Sequence, residues 1–169
     1  MQERTSKLWI AVSAIAVLMF AVATVSISAQ DFAQSKEMLA GGRLDGSWNV
    51  RVTIRNCQTG DPIRSFDSVT QFMQGGTLID STSGIPQALK TPGEGIWEHT
   101  VGPDYRFRFK SFSFDAAGNY TGYTIIQHTA TLTADGSAYE SAGTSEIYNP
   151  NGILVATGCS TTTASRLAF

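Results

Sequence analysis

The chain has 169 residues, with 12 lysine and arginine side chains against 14 aspartate and glutamate side chains, and a formal net charge of -2 at pH 7. This near balance provides no basic surface of the kind that binds nucleic acid, so we expect no nucleic-acid partner. The length suits one folded domain with one hydrophobic core, and a second domain is not expected.

The amino-terminal stretch has the pattern of a secretory signal peptide. Two basic residues precede an uncharged apolar run from 8 to about 25, and small residues follow it, so cleavage is expected after Ser28 or Ala29. The alternative is an uncleaved anchor, because the apolar run approaches the length of about 20 residues that spans a bilayer. We predict a signal peptide over 1–29, a lead-in segment over 30–45, and a secreted or periplasmic protein without membrane contact after cleavage.

From Gly46 onward the chain alternates β-rich runs with turn residues. In the first run Trp48, Val50 and Val52 alternate with polar residues, which is typical of a half-buried strand. Each run is closed by glycine, proline, asparagine or aspartate. The predicted strands cover about 46–55, 63–73, 77–82, 95–101, 105–114, 120–133, 138–148 and 153–168, with a long loop over 83–93.

The fifth predicted strand carries an irregularity in its apolar pattern. Phe107 and Phe109 share one parity, whereas Phe112 and Phe114 fall on the other. A β-bulge inserts one residue and would return all four rings to one face. We therefore predict a bulge near residues 110 and 111.

Short connections make neighbouring strands in sequence neighbours in space, which favours an up-and-down order. We predict one all-β domain over 46–169, an eight-stranded antiparallel up-and-down barrel, with a two-sheet β-sandwich as the alternative. In an oxidising compartment Cys57 and Cys159 are expected to form a disulfide, which would hold the first and last strands together. Neither cysteine belongs to a CxxC or has a clustered partner ligand, so no metal site is predicted.

Two features near the chain ends carry a family resemblance. The first strand opens with Gly46-Ser47-Trp48, and Arg166 stands near the end of the last strand. Together they resemble the Gly-x-Trp signature and the closing basic residue of lipocalins and the wider calycin barrels. The resemblance implies that Arg166 packs across Trp48 at the barrel base, as a structural pair. The mature chain also resembles small secreted bacterial proteins of lipocalin-like shape, which implies a fold and no particular activity.

Neither histidine stands in a metal-binding or nucleophile motif. His99 shares the parity of Trp97, and His128 shares that of Tyr120, so both imidazoles could point into the barrel. There they would be tuned for acid–base work, and the alternative is that each is a hydrogen-bonded wall or rim residue. Carboxylates within strands, Asp80 among them, could face either way. We nominate no catalytic residue, no metal site and no cofactor.

Aromatic side chains are numerous enough to line or to fill the interior of the predicted barrel. Barrels of eight strands lie at the size where the interior is either packed or holds one small ligand. We expect a small apolar or aromatic ligand to be bound by Trp97, His99, Phe107, Phe109, Tyr120 and His128. The alternatives are an exported structural or partner-binding scaffold, and an isomerase- or lyase-like barrel enzyme related in shape to allene oxide cyclases. The sequence leaves the ligand's identity and the oligomeric state open.

Overall fold

The computed structural model describes residues 43–168, which form a closed β-barrel of eight antiparallel strands in chain order. The strands are β1 (Gly46–Arg55), β2 (Pro62–Met73), β3 (Thr77–Thr82), β4 (Gly93–His99), β5 (Asp104–Phe114), β6 (Tyr120–Leu132), β7 (Ala138–Tyr148) and β8 (Leu154–Arg166). The predicted up-and-down barrel is confirmed, and its closure rules out the sandwich. The predicted signal peptide and most of the predicted lead-in lie outside the described residues. Within 43–168, no helix is long and apolar enough to cross a bilayer.

Strands β1 and β8 close the barrel. They pair from Trp48 opposite Arg166 to Arg55 opposite Cys159. Next to this last pair, Cys57 follows the end of β1 and forms a disulfide with Cys159, their Cα atoms 5.2 Å apart. The predicted disulfide is therefore confirmed, and it fastens the barrel at the strand pair that completes it.

The opposite end of the barrel is plugged by Trp48 and Arg166. The Trp48 indole is fully buried and donates a hydrogen bond from Nε1 to the Leu44 carbonyl at 2.8 Å. The guanidinium carbon of Arg166 lies 4.4 Å from the centroid of that indole. Arg166 also donates to the carbonyls of Gly136 and Asp45, at 2.6 and 2.9 Å. The Arg166 guanidinium thus connects the segment before β1, the β6–β7 turn and the Trp48 ring.

Strand β5 runs through its aromatic residues without the predicted bulge. Its pairing with β6 stays regular as far as Ser113, and the register shifts only between Ser113 and Phe114. Ser111 therefore points inward and is fully buried, whereas Phe112 lies on the outer face with 43% of its surface exposed. The prediction of a bulge at residues 110 and 111 is wrong. The sheet keeps its register and exposes Phe112, over whose ring the Lys110 ammonium lies at 5.0 Å.

The connection between β3 and β4 is the predicted long loop, but it ends earlier than predicted. It contains a single 3-10 turn at Gln87–Leu89, and β4 already begins at Gly93, which pairs with Asp80 of β3. The strand ends at His99, so Val101 lies in the following turn and is 71% exposed. The predicted fourth strand was therefore displaced by two residues toward the carboxyl terminus.

The inward-facing side chains are buried toward the Arg166 end of the barrel and partly exposed toward the disulfide end. Large side chains are buried at the filled end, namely Trp48, Phe72, Leu78, Tyr105, Leu132 and Tyr139. Nearer the disulfide, the inward-facing side chains keep partial exposure, namely Val52, Ile54, Phe66, Ile126 and Ser145. We call the end of the barrel interior bounded by these five partly exposed residues the cup. The apolar core forms its floor.

Candidate functional site

A layer of buried polar side chains separates the apolar floor from the cup. Among residues 43–168, ten polar or charged side chains are buried, and we call them the polar belt: Ser68, Thr70, Asp80, Thr82, Lys90, Ser111, His128, Ser141, Ser160 and Thr162. All except Lys90 lie on strands, at positions that face the barrel interior. Polar groups removed from water are costly unless they are hydrogen-bonded. The partners that each group has, or lacks, therefore indicate what the belt can do.

Asp80 is a buried carboxylate at the centre of the belt. It follows Leu78 at a spacing of two along β3, so both side chains face inward, and it is 7% exposed. Ser68 and Thr70 donate hydrogen bonds to the same oxygen, Oδ2, at 2.6 and 2.8 Å. Burial raises the pKa of Asp80, and these two hydrogen bonds oppose the increase. The other oxygen, Oδ1, accepts no hydrogen bond from the part of the chain that the structure describes.

Lys90 reaches the belt from the β3–β4 loop. Its side chain is buried, and Nζ donates only to the Thr91 carbonyl, at 3.3 Å, among the described residues. Burial lowers the pKa of Lys90, and the negative charge of Asp80 opposes this decrease. Two hydrogen bonds of 3.0 Å between Thr91 and Phe112 fix the loop on β5. The residue that follows Lys90 is therefore fixed to β5 through its main chain and its hydroxyl group.

Ser111 is a belt residue whose hydroxyl makes no hydrogen bond to the described residues. Its side chain is fully buried, and its Oγ has no hydrogen-bond partner within residues 43–168. A buried hydroxyl without a partner costs about 1–3 kcal/mol and is rare in native proteins. Gly93 lies between Ser111 and Asp80 in the sheet, since Gly93 pairs with Asp80 and the next residue, Glu94, pairs with Lys110. The unpaired hydroxyl thus stands two strands away from the carboxylate.

His128, by contrast, is fully hydrogen-bonded within the protein. Its Nδ1 bonds the Ser141 hydroxyl at 2.8 Å and its Nε2 bonds the Ser160 hydroxyl at 2.9 Å. Burial lowers the pKa of His128 to about 4, so the ring is neutral at pH 7. Gly143 faces it from β7, where a Cβ atom would lie 2.5 Å from the imidazole Cδ2. The imidazole is therefore a fixed, neutral part of the wall.

Aromatic rings continue the wall from His128 toward β4. Phe107 stacks on His128 with ring centroids 5.4 Å apart and on Phe109 with centroids 6.3 Å apart. The Phe109 ring lies against Gly93, which leaves no room there for a side chain. Lower in the barrel, Trp97 packs edge-on against the core and donates from Nε1 to the Met73 carbonyl at 2.9 Å. The wall at the belt is thus aromatic on β5 and polar on β3.

The structure brings three of the six predicted ligand-binding residues together, Phe107, Phe109 and His128. Trp97 belongs to the floor, at the end of β4 that is remote from the long loop. His99 is exposed beyond it, with Nε2 bonded to the Gly102 carbonyl at 2.8 Å. The two imidazoles therefore do not share one chamber.

Tyr120 does not share the inward face of His128, which corrects the parity expected for it. The register shift beside Phe114 places Tyr120 at the outer rim, 42% exposed and in edge contact with the Phe112 ring at 6.1 Å. A strand's alternation holds only up to an irregularity, so parity counted from His128 fails beyond that shift.

The sequence interpretation missed Asp80, Lys90 and Ser111 as site residues. A signal existed for Asp80, because its spacing of two from Leu78 places both on one face of β3. Ser111 was hidden by the expected bulge, and Lys90 lies in a loop without periodicity. No group of three or more histidine, cysteine or acidic side chains that could hold a metal ion occurs in 43–168.

Two concavities lie on the outer surface of the barrel and are separate from the cup. The larger, of about 760 Å³, includes the exposed ion pair of Arg51 and Asp67, whose atoms are 2.7 Å apart. The smaller, of about 240 Å³, includes the exposed residues Arg106 and Gln127. Polar and apolar side chains both line these concavities, and neither is lined by Asp80, Lys90 or Ser111.

Comparison of the sequence with protein-family models finds no match, and comparison with curated proteins also finds no significant match. The function is therefore argued from the geometry of the cup and the polar belt.

Proposed function

We propose that this chain is an exported binding protein that holds a small molecule with an apolar or aromatic body inside the cup. The observation that carries the proposal is the buried, unpartnered Ser111 hydroxyl within a barrel whose inward-facing side chains are partly exposed at one end. A packed core has no use for such a group, whereas a bound molecule would supply its partner. Clefts with apolar walls and a few convergent polar groups are the usual form of small-molecule sites.

The wall composition supports an aromatic or apolar ligand body. Phe107 and Phe109 form a stacked, buried pair in the barrel core, and Phe66 and Ile126 remain partly exposed at the cup. Burying apolar surface contributes about 25 cal/mol per Å² before the costs of association. A ring system of moderate size would thus reach a dissociation constant in the micromolar range, about -8 kcal/mol.

The disulfide supports export. A bridge between Cys57 and Cys159 persists in oxidising compartments and is rare in reducing ones. Together with the signal-peptide pattern over 1–29, this favours a secreted or periplasmic protein.

Binding can be tested with N-phenyl-1-naphthylamine, an uncharged dye whose fluorescence rises when it leaves water. We expect saturable binding to the wild type. Ile126→Trp, which fills the cup from β6, should weaken it at least about tenfold, because the ring would occupy the ligand volume. Gln127→Trp is the matched control, since the adjacent side chain is exposed on the outer face.

Folding of each variant is verified by its circular dichroism and thermal midpoint. Should Ile126→Trp fail to fold, Ser145→Phe fills the same space from β7. A dye that gives no saturable signal, or that binds equally to wild type and to a folded cup-filled variant, would overturn the proposal.

A barrel enzyme of isomerase or lyase type is the second candidate, favoured by one observation. Asp80 and Lys90 are buried side chains of opposite charge whose pKa values are shifted by burial, a combination that is frequent at catalytic sites. Conversion of a bound molecule that stops in Asp80→Asn, while binding persists, would support this candidate over a binding protein.

A further inference from the structure

We propose that the barrel has a side gate, which opens locally at the seam between β3 and β4 while the other seams stay closed. The gate consists of the β3–β4 loop over 83–92, which we call the strap, and of the first four residues of β4, over 93–96. Local opening is a property of the fold alone. Its use, the entry of a ligand, rests on the proposed function.

The seam between β3 and β4 is the shortest of the eight seams that close the described barrel. It runs from Thr77 opposite Ile96 to Asp80 opposite Gly93, so it is four residues long. Each of the other seams pairs at least six residues of one strand with the next. Because a shorter ladder has fewer hydrogen bonds to break, the barrel should open first at this seam.

The inward-facing positions in the first half of β4 are glycines. Gly93 pairs with Asp80 and Gly95 pairs with Leu78, and both partners point into the barrel. The Phe109 ring fills the space inside Gly93, where an added Cβ would lie 2.4 Å from it. The alternate positions of this half face solvent. Opening the gate therefore withdraws no apolar side chain of β4 from the core, and segments with few buried apolar contacts are those that open locally.

Trp97 anchors the other half of β4 and marks the hinge. Its indole packs edge-on against Phe72, with ring centroids 5.9 Å apart, and its Nε1 donates to the Met73 carbonyl at 2.9 Å. Its main-chain N–H donates to the Gly76 carbonyl at 2.8 Å. Since β4 is anchored in the core at one end only, its first half can move without disturbing the packed end of the barrel.

Thr91 latches the strap to β5. Its main-chain N–H donates to the Phe112 carbonyl, and its Oγ1 accepts from the Phe112 N–H, both at 3.0 Å. Lys90 adds an isolated bridge to Ser113. No strand continues this pairing on the strap, so no ladder reinforces the latch within the described residues. The gate is therefore expected to release at Thr91.

Opening of the gate uncovers the interior at the level of the polar belt. The face of the Phe109 ring that lies against Gly93 becomes accessible, and Asp80 and Ser111 stand on the strands at either side of the gap. All three side chains are buried while the gate is closed. An aromatic face beside polar groups is typical of small-molecule sites, and such a site can exist in a minor, open state. The gate thus gives a ligand a route through the wall of the barrel.

Native-state hydrogen exchange of the ligand-free protein tests the gate itself. We expect the amides of 93–96 that are hydrogen-bonded to β3 to exchange at least about 100-fold faster than the paired amides of β6 and β7. Low concentrations of urea should not change their rate, because local opening exposes little surface. Exchange at 93–96 as slow as in β6 and β7 would overturn the gate.

Thr91→Val tests the latch, because it removes the hydroxyl that accepts from Phe112. The exchange rate at 93–96 should rise about five- to tenfold. Thr129→Val is the matched control, since Thr129 is exposed on the outer face of β6, and it should leave that rate unchanged. A wild-type rate in Thr91→Val would also overturn the gate as described.

A cross-link tests the use of the gate for entry. Ile79 and Glu94 are paired and exposed across the short seam, so Ile79→Cys combined with Glu94→Cys places two thiols where a disulfide can form. The oxidised variant should bind and release N-phenyl-1-naphthylamine at least about tenfold more slowly in stopped-flow fluorescence. Its dissociation constant should stay within about twofold of wild type, because the bound protein is closed. Gln127→Cys combined with Thr144→Cys cross-links the β6–β7 seam in the same way and should keep wild-type rates.

The outcomes separate the gate from the binding function. Wild-type dye kinetics in the oxidised Ile79→Cys, Glu94→Cys variant would show that the dye enters past the cup, and would overturn the entry role. Equal slowing in the control cross-link would overturn it as well. If the dye does not bind while 93–96 exchange rapidly, the binding function falls and the gate stands.

Discussion

Lys90 and Asp80 are opposite charges, both buried at the cup, that influence each other's pKa without forming a salt bridge among the described residues. A salt bridge between them would satisfy the hydrogen bonding of both charged groups and leave little capacity to bind a third group. Burial of charges that are incompletely paired is costly to stability, so this arrangement lowers the free energy of unfolding relative to a closed pair.

Ser111→Ala should leave stability unchanged or raise it by about 1 kcal/mol. The hydroxyl is buried without a partner in 43–168, so its removal relieves a desolvation cost and breaks no hydrogen bond. Urea denaturation at pH 7 measures the difference. The contrasting variant is Ser68→Ala, which removes a donor to Asp80 and should cost about 1–3 kcal/mol. Similar losses in both variants would contradict the unpaired state of Ser111.

Acidification should destabilise the protein through His128. Burial lowers its pKa from 6.5 to about 4, so between these values the unfolded chain binds more protons than the folded one. The free energy of unfolding therefore increases as the pH rises across this window. As the pH falls through the window, the protein loses about 3 kcal/mol of stability from this group. Asp80 acts in the opposite direction, because its raised pKa makes the folded state the better proton binder.

The contribution of His128 is isolated by comparing pH slopes. His128→Asn should flatten the dependence of unfolding free energy on pH between about 4 and 6.5, relative to the wild type. His99→Asn makes the same substitution at an exposed position and is measured as the control for the substitution itself. An unchanged slope in His128→Asn would show that the imidazole is not held neutral.

Loss of the disulfide should lower stability without opening the barrel. The bridge joins residues 102 apart, and the chain-entropy model gives up to about 4.7 kcal/mol for a loop near 100 residues, with smaller values common. We expect Cys57→Ser combined with Cys159→Ser to lose about 3 kcal/mol in urea denaturation. The wild type under dithiothreitol should show the same decrease. Equal midpoints in oxidised and reduced protein would argue against the bridge.

Arg166→Met should lose about 2–4 kcal/mol, because it removes charge-assisted hydrogen bonds to backbone carbonyls and the contact with Trp48. Arg166→Lys should recover only part of this, since an ammonium lacks the planar fork that reaches several carbonyls. Arg51→Met is the control, because within 43–168 the Arg51 side chain forms an exposed ion pair alone, and its loss should change stability by less than about 1 kcal/mol. Chemical denaturation of the three variants decides the comparison.

The barrel could be predicted because the same short-range patterns, alternating strands and short turns, recur along the chain. Trp48, Val50 and Val52 alternate with polar residues, and the glycine-containing turns are short enough to force neighbouring strands together. The site could not be predicted in the same way. Asp80 breaks the expectation that charges face water, and Ser111 takes the inward position that was assigned to an aromatic ring. Inward faces are inferred from the rule that apolar side chains face the core and polar ones face water. Asp80 and Ser111 are polar side chains that face inward, so this rule misassigns them.

The pairing of β1 with β8 also constrains the order of folding. Seven of the hydrogen-bonded strand pairs join neighbours in sequence, whereas the eighth joins the two ends of the domain. A ring cannot be completed until its final strand has been synthesised, and contacts of such long sequence separation slow the crossing of the folding barrier. A chain lacking β8 would present the edge of β1 as a template for other strands, so carboxyl-terminal truncation is expected to favour aggregation over a smaller soluble fold.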